Sequence, residues 1–197
     1  MELMELSIAV VSRIGDRQSN EDACGYWYEH GPACCVLSDG AGGHGGGDVA
    51  SRLSVQSVLE VFAAQPDATP EAVAELLDIA NLTVLDPQQH GGEQADMRAT
   101  LVVLLIDPHD GLAIWGHAGD SRLYWLRGGR VRARTRDHSL FQSLVDAGFA
   151  SDDERDGHFG ADILTTAVGS ADEYHPEVAG EPVRVEPGDA FLLCSDG

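Results

Sequence analysis

Apolar residues in this chain come in short runs broken by turn residues, a pattern that predicts many strands and few helices. Leu6 to Val11, Ala33 to Leu37, Leu101 to Ile106, Leu112 to Ala118, Leu123 to Leu126 and Phe191 to Leu193 are the clearest strand candidates. The run from Leu101 to Ile106 is apolar at every position, so its strand should be covered on both faces. Adjacent Cys34 and Cys35 should face opposite sides of theirs. Pro108-His109-Asp110-Gly111 and Gly128-Gly129 read as hairpin turns, and Pro187-Gly188 leads into the last strand.

Helical spacing interrupts this pattern. Asp48 to Ala63 carries Val49, Leu53, Val58, Leu59 and Phe62 close to one stripe. Thr69 before Pro70 and Glu71 is an N-cap with proline at the first helical position, and the helix it opens should turn Val73, Leu76, Leu77 and Ala80 inward. A smaller helical piece runs from Ser139 to Ala147 and stops at Gly148. Phe149 to Gly160 is acidic, contains glycine and is poorly patterned, which predicts a mobile flap. The whole predicts an α+β sandwich with helices outside two antiparallel sheets.

Composition narrows the partners. The 197 residues suffice for one domain with a substantial core. A formal charge of -21, with Arg as the only basic residue type apart from His, argues against nucleic acid or an anionic membrane as partner. Cys24, Cys34, Cys35 and Cys194 form no Cys-x-x-Cys pair, so reduced thiols are expected rather than a zinc site or disulfide framework. With no basic start before an apolar core and no run long enough to span a bilayer, a cytoplasmic location is expected.

The candidate chemistry lies in carboxylates at strand ends: Glu21-Asp22, Asp39-Gly40, Gly119-Asp120 and Asp196-Gly197. Gathered together, such groups suit hard divalent cations, Mg²⁺ or Mn²⁺. Arg17-Gln18-Ser19-Asn20-Glu21-Asp22 could aim a carboxylate at a metal and a guanidinium at a phosphate, or be a solvated polar turn. From Asp39 the chain passes through six glycines to the first helix. Without Cβ atoms, main-chain carbonyls there can approach an ion. A phosphate-binding loop is excluded, since neither a Gly-Lys-Ser/Thr ending nor dinucleotide glycine spacing occurs. Asp120 alone reads equally as a turn cap, and His138 as a hydrogen-bonded structural residue.

Taken in order, these motifs resemble the metal-dependent Ser/Thr protein phosphatases of the PPM (type 2C) family, in its bacterial stand-alone branch. The matching stations are Arg17 with Asn20-Glu21-Asp22, Ser38-Asp39-Gly40 with Gly42-Gly43-His44, Ala99-Thr100-Leu101, Gly119-Asp120-Ser121-Arg122, Asp137-His138-Ser139, Leu164 to Gly169, and Cys194-Ser195-Asp196-Gly197. The resemblance implies a single domain over 1–197, a β-sandwich of two antiparallel sheets flanked by helices, with a flap subdomain at about 139–162. It also implies a binuclear Mn²⁺ or Mg²⁺ centre. Asp39 would bridge the metals, the Gly40 carbonyl and Glu21 would bind one, and Asp22 would stand in its outer shell. Asp196 would hold the other, and Asp120 would serve a third, weaker site. Arg17 would clamp the substrate phosphate, and a hydroxide bridging the metals would attack phosphorus in line. The substrate would be a phosphoserine or phosphothreonine protein, the target of a bacterial Ser/Thr kinase.

Three departures from the family pattern set further expectations. Ala41 stands where many members have a histidine acid, so His44 or a metal-bound water would protonate the leaving group. Met97-Arg98-Ala99 precedes Thr100-Leu101 where glycine or threonine is common. Members also continue to a further metal-binding aspartate in an Asp-Asn pair, and this sequence contains no such pair. Weakened affinity for one metal and an exposed sheet edge are expected. The alternative is a catalytically impaired regulator that binds a phosphoprotein or partner.

Overall fold

The computed structural model describes residues 4–15, 19–41, 45–89 and 91–196. Ten strands and three helices follow in the order β1 (Asp22–Tyr28), β2 (Ala33–Ala41), α1 (Gly47–Ala64), α2 (Pro70–Gln88), β3 (Arg98–Ala99), β4 (Leu101–Asp107), β5 (Leu112–Ala118), β6 (Arg122–Arg127), β7 (Arg130–Arg134), α3 (Leu140–Asp146), β8 (Glu177–Val178), β9 (Val183–Arg184) and β10 (Ala190–Cys194). The larger sheet runs β1-β2-β4-β5-β8, with β3 on β2 and β9 on β5. The smaller runs β10-β6-β7, and every pairing in both is antiparallel. This is the expected α+β sandwich of two antiparallel sheets.

The apolar run in β4 explains how the layers stack. Leu101, Val103 and Leu105 point to a cluster shared with Val55, Val58 and Phe62 of α1 and Val73, Leu76 and Leu77 of α2. Val102, Leu104 and Ile106 point the other way, to a cluster with Leu123, Trp125, Phe191 and Leu193 of the smaller sheet. One strand thus feeds both cores, because period-2 alternation sends neighbouring side chains to opposite faces. Cys34 joins the first cluster and Cys35 borders the second, as their adjacency predicts. Trp115 seals the sheets together against Trp125 and Phe191, with ring centroids 6.4 and 6.3 Å away.

Helix α2 forms as its cap predicts: Thr69 Oγ1 accepts a hydrogen bond from Ala72 N–H at 3.2 Å, and Pro70 occupies the first turn. Val73, Leu76, Leu77 and Ala80 are all buried. Ser139 caps α3 in the same way, accepting from Gln142 N–H at 3.2 Å. The Gly128-Gly129 hairpin has φ of 58° and 72°, the left-handed pair a two-residue turn between twisted strands demands.

One strand expectation fails. Leu6 to Val11 forms no ladder among the described residues. Leu6 still packs on the second cluster, so the apolar run recorded burial there without a strand partner. Among the described residues, no helix is long and apolar enough to cross a membrane.

Candidate active site

The sandwich brings the strand-end carboxylates together by topology alone. β1 and β2 are antiparallel with Asp22 paired to Asp39, so the start of one strand lies at the end of the other. β5 runs antiparallel to β4, which runs antiparallel to β2, so β5 ends beside Asp39 and leads straight to Asp120. β6 starts two residues later, and its antiparallel partner β10 ends at the same edge and leads to Asp196. Ser195 Oγ donates to Asp22 Oδ2 at 3.2 Å, joining the ends of the two sheets.

Small polar side chains fix this end. Thr100, between β3 and β4, donates its N–H to the Asp39 carbonyl at 2.8 Å, and its Oγ1 accepts from Asp39 N–H at 3.0 Å. The same Oγ1 lies 2.6 Å from Ser121 Oγ, in the turn that carries Asp120. Ser38 Oγ donates to the Thr100 carbonyl at 2.6 Å. Gly119 adopts φ 102°, and a Cβ there would stand 2.7 Å from Thr100 Cβ. Arg122 holds the buried Asp137 through Nε and Nη2, both at 2.7 Å.

The glycine stretch after Asp39 is used for close approach. A Cβ on Gly40 would fall on the backbone of Gly47, and a Cβ on Gly47 would lie 2.6 Å from Glu21 Oε2. The first turn of α1 therefore packs directly on the chain beyond Asp39. Glu21 sits at that crossing, its carbonyl accepting from Gly40 N–H at 3.1 Å and from Ser51 Oγ at 2.6 Å.

Electrostatics mark the cluster. Burial pushes the Asp39 carboxyl up to about 7, helped by the negative charges of Asp22, Asp196 and Asp120. Burial, then Asp196 and Asp137, raise Asp120 to about 6. Both shifts have the sign of charge that lacks a counter-ion. A cavity of about 330 Å³ opens over this end, lined by Asp120, Asp196, Arg122, Arg155 and Cys194 among others.

Comparison with known proteins decides what this edge belongs to. The protein phosphatase 2C family profile matches residues 11–197. The chain belongs to the protein phosphatase 2C family. It is therefore a serine/threonine protein phosphatase by kind. Protein phosphatase PhpP of Streptococcus pneumoniae is 34% identical over 200 residues, which cover 98% of this chain and 78% of that one. The serine/threonine phosphatase of S. agalactiae superposes with a TM-score of 0.75 at 26% identity, over 91% of this chain and 74% of its own. The phosphatase PstP/Ppp of Mycobacterium tuberculosis superposes with a TM-score of 0.73 at 28% identity, over 91% and 73%.

The phosphatase family is metal-dependent, and the donors gathered here suit that dependence. Asp22, Asp39, Asp120 and Asp196 offer oxygen alone, the ligand chemistry of Mg²⁺ and Mn²⁺, and the negative charge that the other three press on the half-buried Asp39 is the kind a cation relieves. Of the residues expected at the site, Asp22, Asp120 and Asp196 each lie near enough to Asp39 for their charges to act on it. Glu21 and Gly40 stand beside them at the α1 crossing. Arg17 and His44 lie outside the described residues.

A second group of the phosphatase, His117, His138 and Glu177, has ligand atoms within 4.8 Å of one another. Its chemistry reads differently. His117 Nε2 lies 2.7 Å from the Arg136 carbonyl, which only accepts, so that nitrogen carries the proton. His138 Nδ1 accepts from Gly119 N–H at 3.2 Å, which leaves its proton on Nε2, facing Glu177 Oε2 at 3.8 Å. The rings stack 4.4 Å apart at 16°, and lone pairs in nearly parallel planes do not converge on one ion. Burial lowers both histidines, His138 to about 4, so both are neutral. They pin the turn that carries Asp120, and His138 is the structural residue its sequence context suggested.

Sequence reasoning passed over Arg155 as a site residue, and it left Thr100, Arg122, Asp137 and Ser195 as motif members without roles. Arg155 had one signal, a lone cation within Asp152-Asp153-Glu154-Arg155-Asp156.

Proposed function

We propose that this phosphatase hydrolyses phosphoserine and phosphothreonine on proteins with two divalent cations, Mn²⁺ or Mg²⁺. The observation that carries this reading is the placing of Asp22, Asp120 and Asp196 around Asp39 at one sandwich edge, where burial first and their charges next raise the Asp39 carboxyl. Asp39, at the centre of that group, would serve both cations. Asp196 would hold one, and Glu21 with the Gly40 carbonyl the other, with Asp22 beside them. Asp120 would serve a third, weaker site. Bound there, the cations would supply hydroxide at neutral pH and neutralise the phosphoryl oxygens.

The chain's own residues do the rest. Thr100 and Ser121 hold the backbones bearing Asp39 and Asp120, which fixes the carboxylates before substrate arrives. The open cavity admits a side chain displayed on a protein surface. Segment 139–162 would act as a flap beside it. Arg17 would clamp the phosphate, and His44 would return a proton to the leaving oxygen. The substrate would be the product of a bacterial Ser/Thr kinase.

Hydrolysis of p-nitrophenyl phosphate against a Mn²⁺ titration tests this. The expected result is Mn²⁺-dependent turnover that falls by about 10²-fold or more in Asp39→Asn, the scale of losing a preorganised electrostatic group. Binding of Mn²⁺ with no turnover in either protein would overturn it in favour of a regulator that holds phosphoproteins without cleaving them.

A further inference from the structure

The acidic segment after α3 lines the cavity, and its far end is pinned back onto the start of that helix. Phe141 N–H donates to the Gly160 carbonyl at 3.0 Å and Leu140 N–H to the Ile163 carbonyl at 2.8 Å. His158 packs its ring on Phe141, 5.0 Å between centroids. Inside the segment, Glu154 Oε2 accepts from Ser151 N–H at 2.8 Å and from Ser151 Oγ at 2.9 Å, closing the short turn Asp152–Glu154 that Arg155 ends. The backbone of Arg155 is thereby fixed, and its side chain reaches into the cavity with Asp120 and Asp196.

There it meets a carboxylate already satisfied. Asp137, with 4% of its side chain exposed, gives both oxygens to Arg122 at 2.7 Å, and Arg155 Nη2 reaches the same Oδ2 at only 3.3 Å. Arg122 spends a further donor on Tyr124 Oη at 3.2 Å. Among the described residues, Arg155 makes no side-chain hydrogen bond of normal geometry, so its donor fork is uncommitted. Apart from Arg122, the other charges on the cavity wall are acids, Asp120, Asp156, Asp162 and Asp196. Once cations neutralise Asp120 and Asp196, Arg155 is the described group best placed to receive an anion.

We propose that Arg155 is a phosphate-binding residue of the active site: parked against Asp137 in the free protein, its guanidinium transfers to the phosphoryl oxygens of the substrate. Two charged hydrogen bonds to a dianion exceed one long contact to a monoanion that Arg122 already neutralises. The anchored segment then registers substrate through this one side chain. The proposal rests on the phosphatase reading of the site.

The test uses inorganic phosphate as probe, at saturating Mn²⁺, by calorimetric titration of the wild type, Arg155→Ala and Arg155→Lys. It is paired with KM and kcat for p-nitrophenyl phosphate and Mn²⁺ affinity for each protein. The expected result is phosphate affinity about 10-fold weaker or more in Arg155→Ala, a matching rise in KM, a smaller change in kcat, and unaltered Mn²⁺ affinity. Arg155→Lys should recover part of the loss. Phosphate affinity and KM unchanged in Arg155→Ala would overturn the proposal. So would loss of Mn²⁺ affinity in step with phosphate, which would make Arg155 a prop for the carboxylates. Because phosphate binding is read without turnover, an inactive wild type would count against the phosphatase reading and leave the Arg155 comparison standing.

Discussion

Thr100 shows how much of the site hangs on one small side chain. Its Oγ1 accepts from Asp39 N–H at 3.0 Å and lies 2.6 Å from Ser121 Oγ, so it ties the strand of one carboxylate to the turn of another. Val has nearly the same shape and no oxygen. Thr100→Val would leave a buried N–H and a buried hydroxyl without partners, and we expect a loss of about 1–3 kcal/mol in urea unfolding. Thr100→Ser, which keeps the oxygen, should lose far less. Equal losses in both variants would mean that the methyl group, which Val keeps and Ser lacks, matters as much as the oxygen. The sequence displayed Thr100 only as a member of the Ala99-Thr100-Leu101 motif. Its role depends on partners 61 and 21 positions away, and no local pattern carries that. The aspartates were legible one by one, because an acid next to glycine after an apolar run marks a strand end. Arg155 was not, because the charge that matters is the one Asp137 leaves over.

At the scale of elements, regularity decided what could be read. β4, β5 and α2 were plain from apolar runs and from the Thr69-Pro70 cap. The two-residue strands β3, β8 and β9 are too short to impose a period. Leu6 to Val11 had the apolar run of a strand, and such a run reports burial of a side chain such as Leu6 whether or not a partner strand exists. The connection from β5 to β6 is the most demanding turn in the site. Gly119 holds φ 102°, with room for a Cβ only 2.7 Å from Thr100 Cβ. Gly119→Ala would meet both backbone strain and collision. We expect about 1–3 kcal/mol lost in denaturant unfolding and a weaker response of stability to Mn²⁺, since Asp120 follows directly. An Ala variant as stable as the wild type would mean this turn is free to re-form, and that Asp120 is not held by it.

For the whole molecule, excess negative charge sets the dependence on pH. The chain carries -21 formally, and several of its acids face Asp39 at one edge. In the folded, metal-free protein Asp39 holds its proton up to about 7 and Asp120 up to about 6, against an ordinary value of 3.8. Between these values the folded state binds protons that the unfolded chain has shed, so these two groups lower stability as pH rises from about 4 to 7. His117 and His138 act in the opposite sense. Their folded values lie below the ordinary 6.5, that of His138 at about 4, so they raise stability as pH climbs through about 4 to 6.5. The two pairs offset one another over most of the acid range, which makes the wild-type curve a poor witness. Substitution separates them. Asp39→Asn removes the largest acid contribution and leaves the histidines, so in EDTA its stability relative to wild type should grow steadily from pH 4 to pH 7. Added Mn²⁺ should reverse the order at pH 7, because cations stabilise the state that binds them and the variant has lost the central carboxylate. Melting curves of both proteins at pH 4, 5.5 and 7, with EDTA and with Mn²⁺, give the comparison. A constant difference in EDTA would mean that Asp39 keeps an ordinary carboxylate range. The crowding of acids at the sandwich edge would then be too weak to demand a cation.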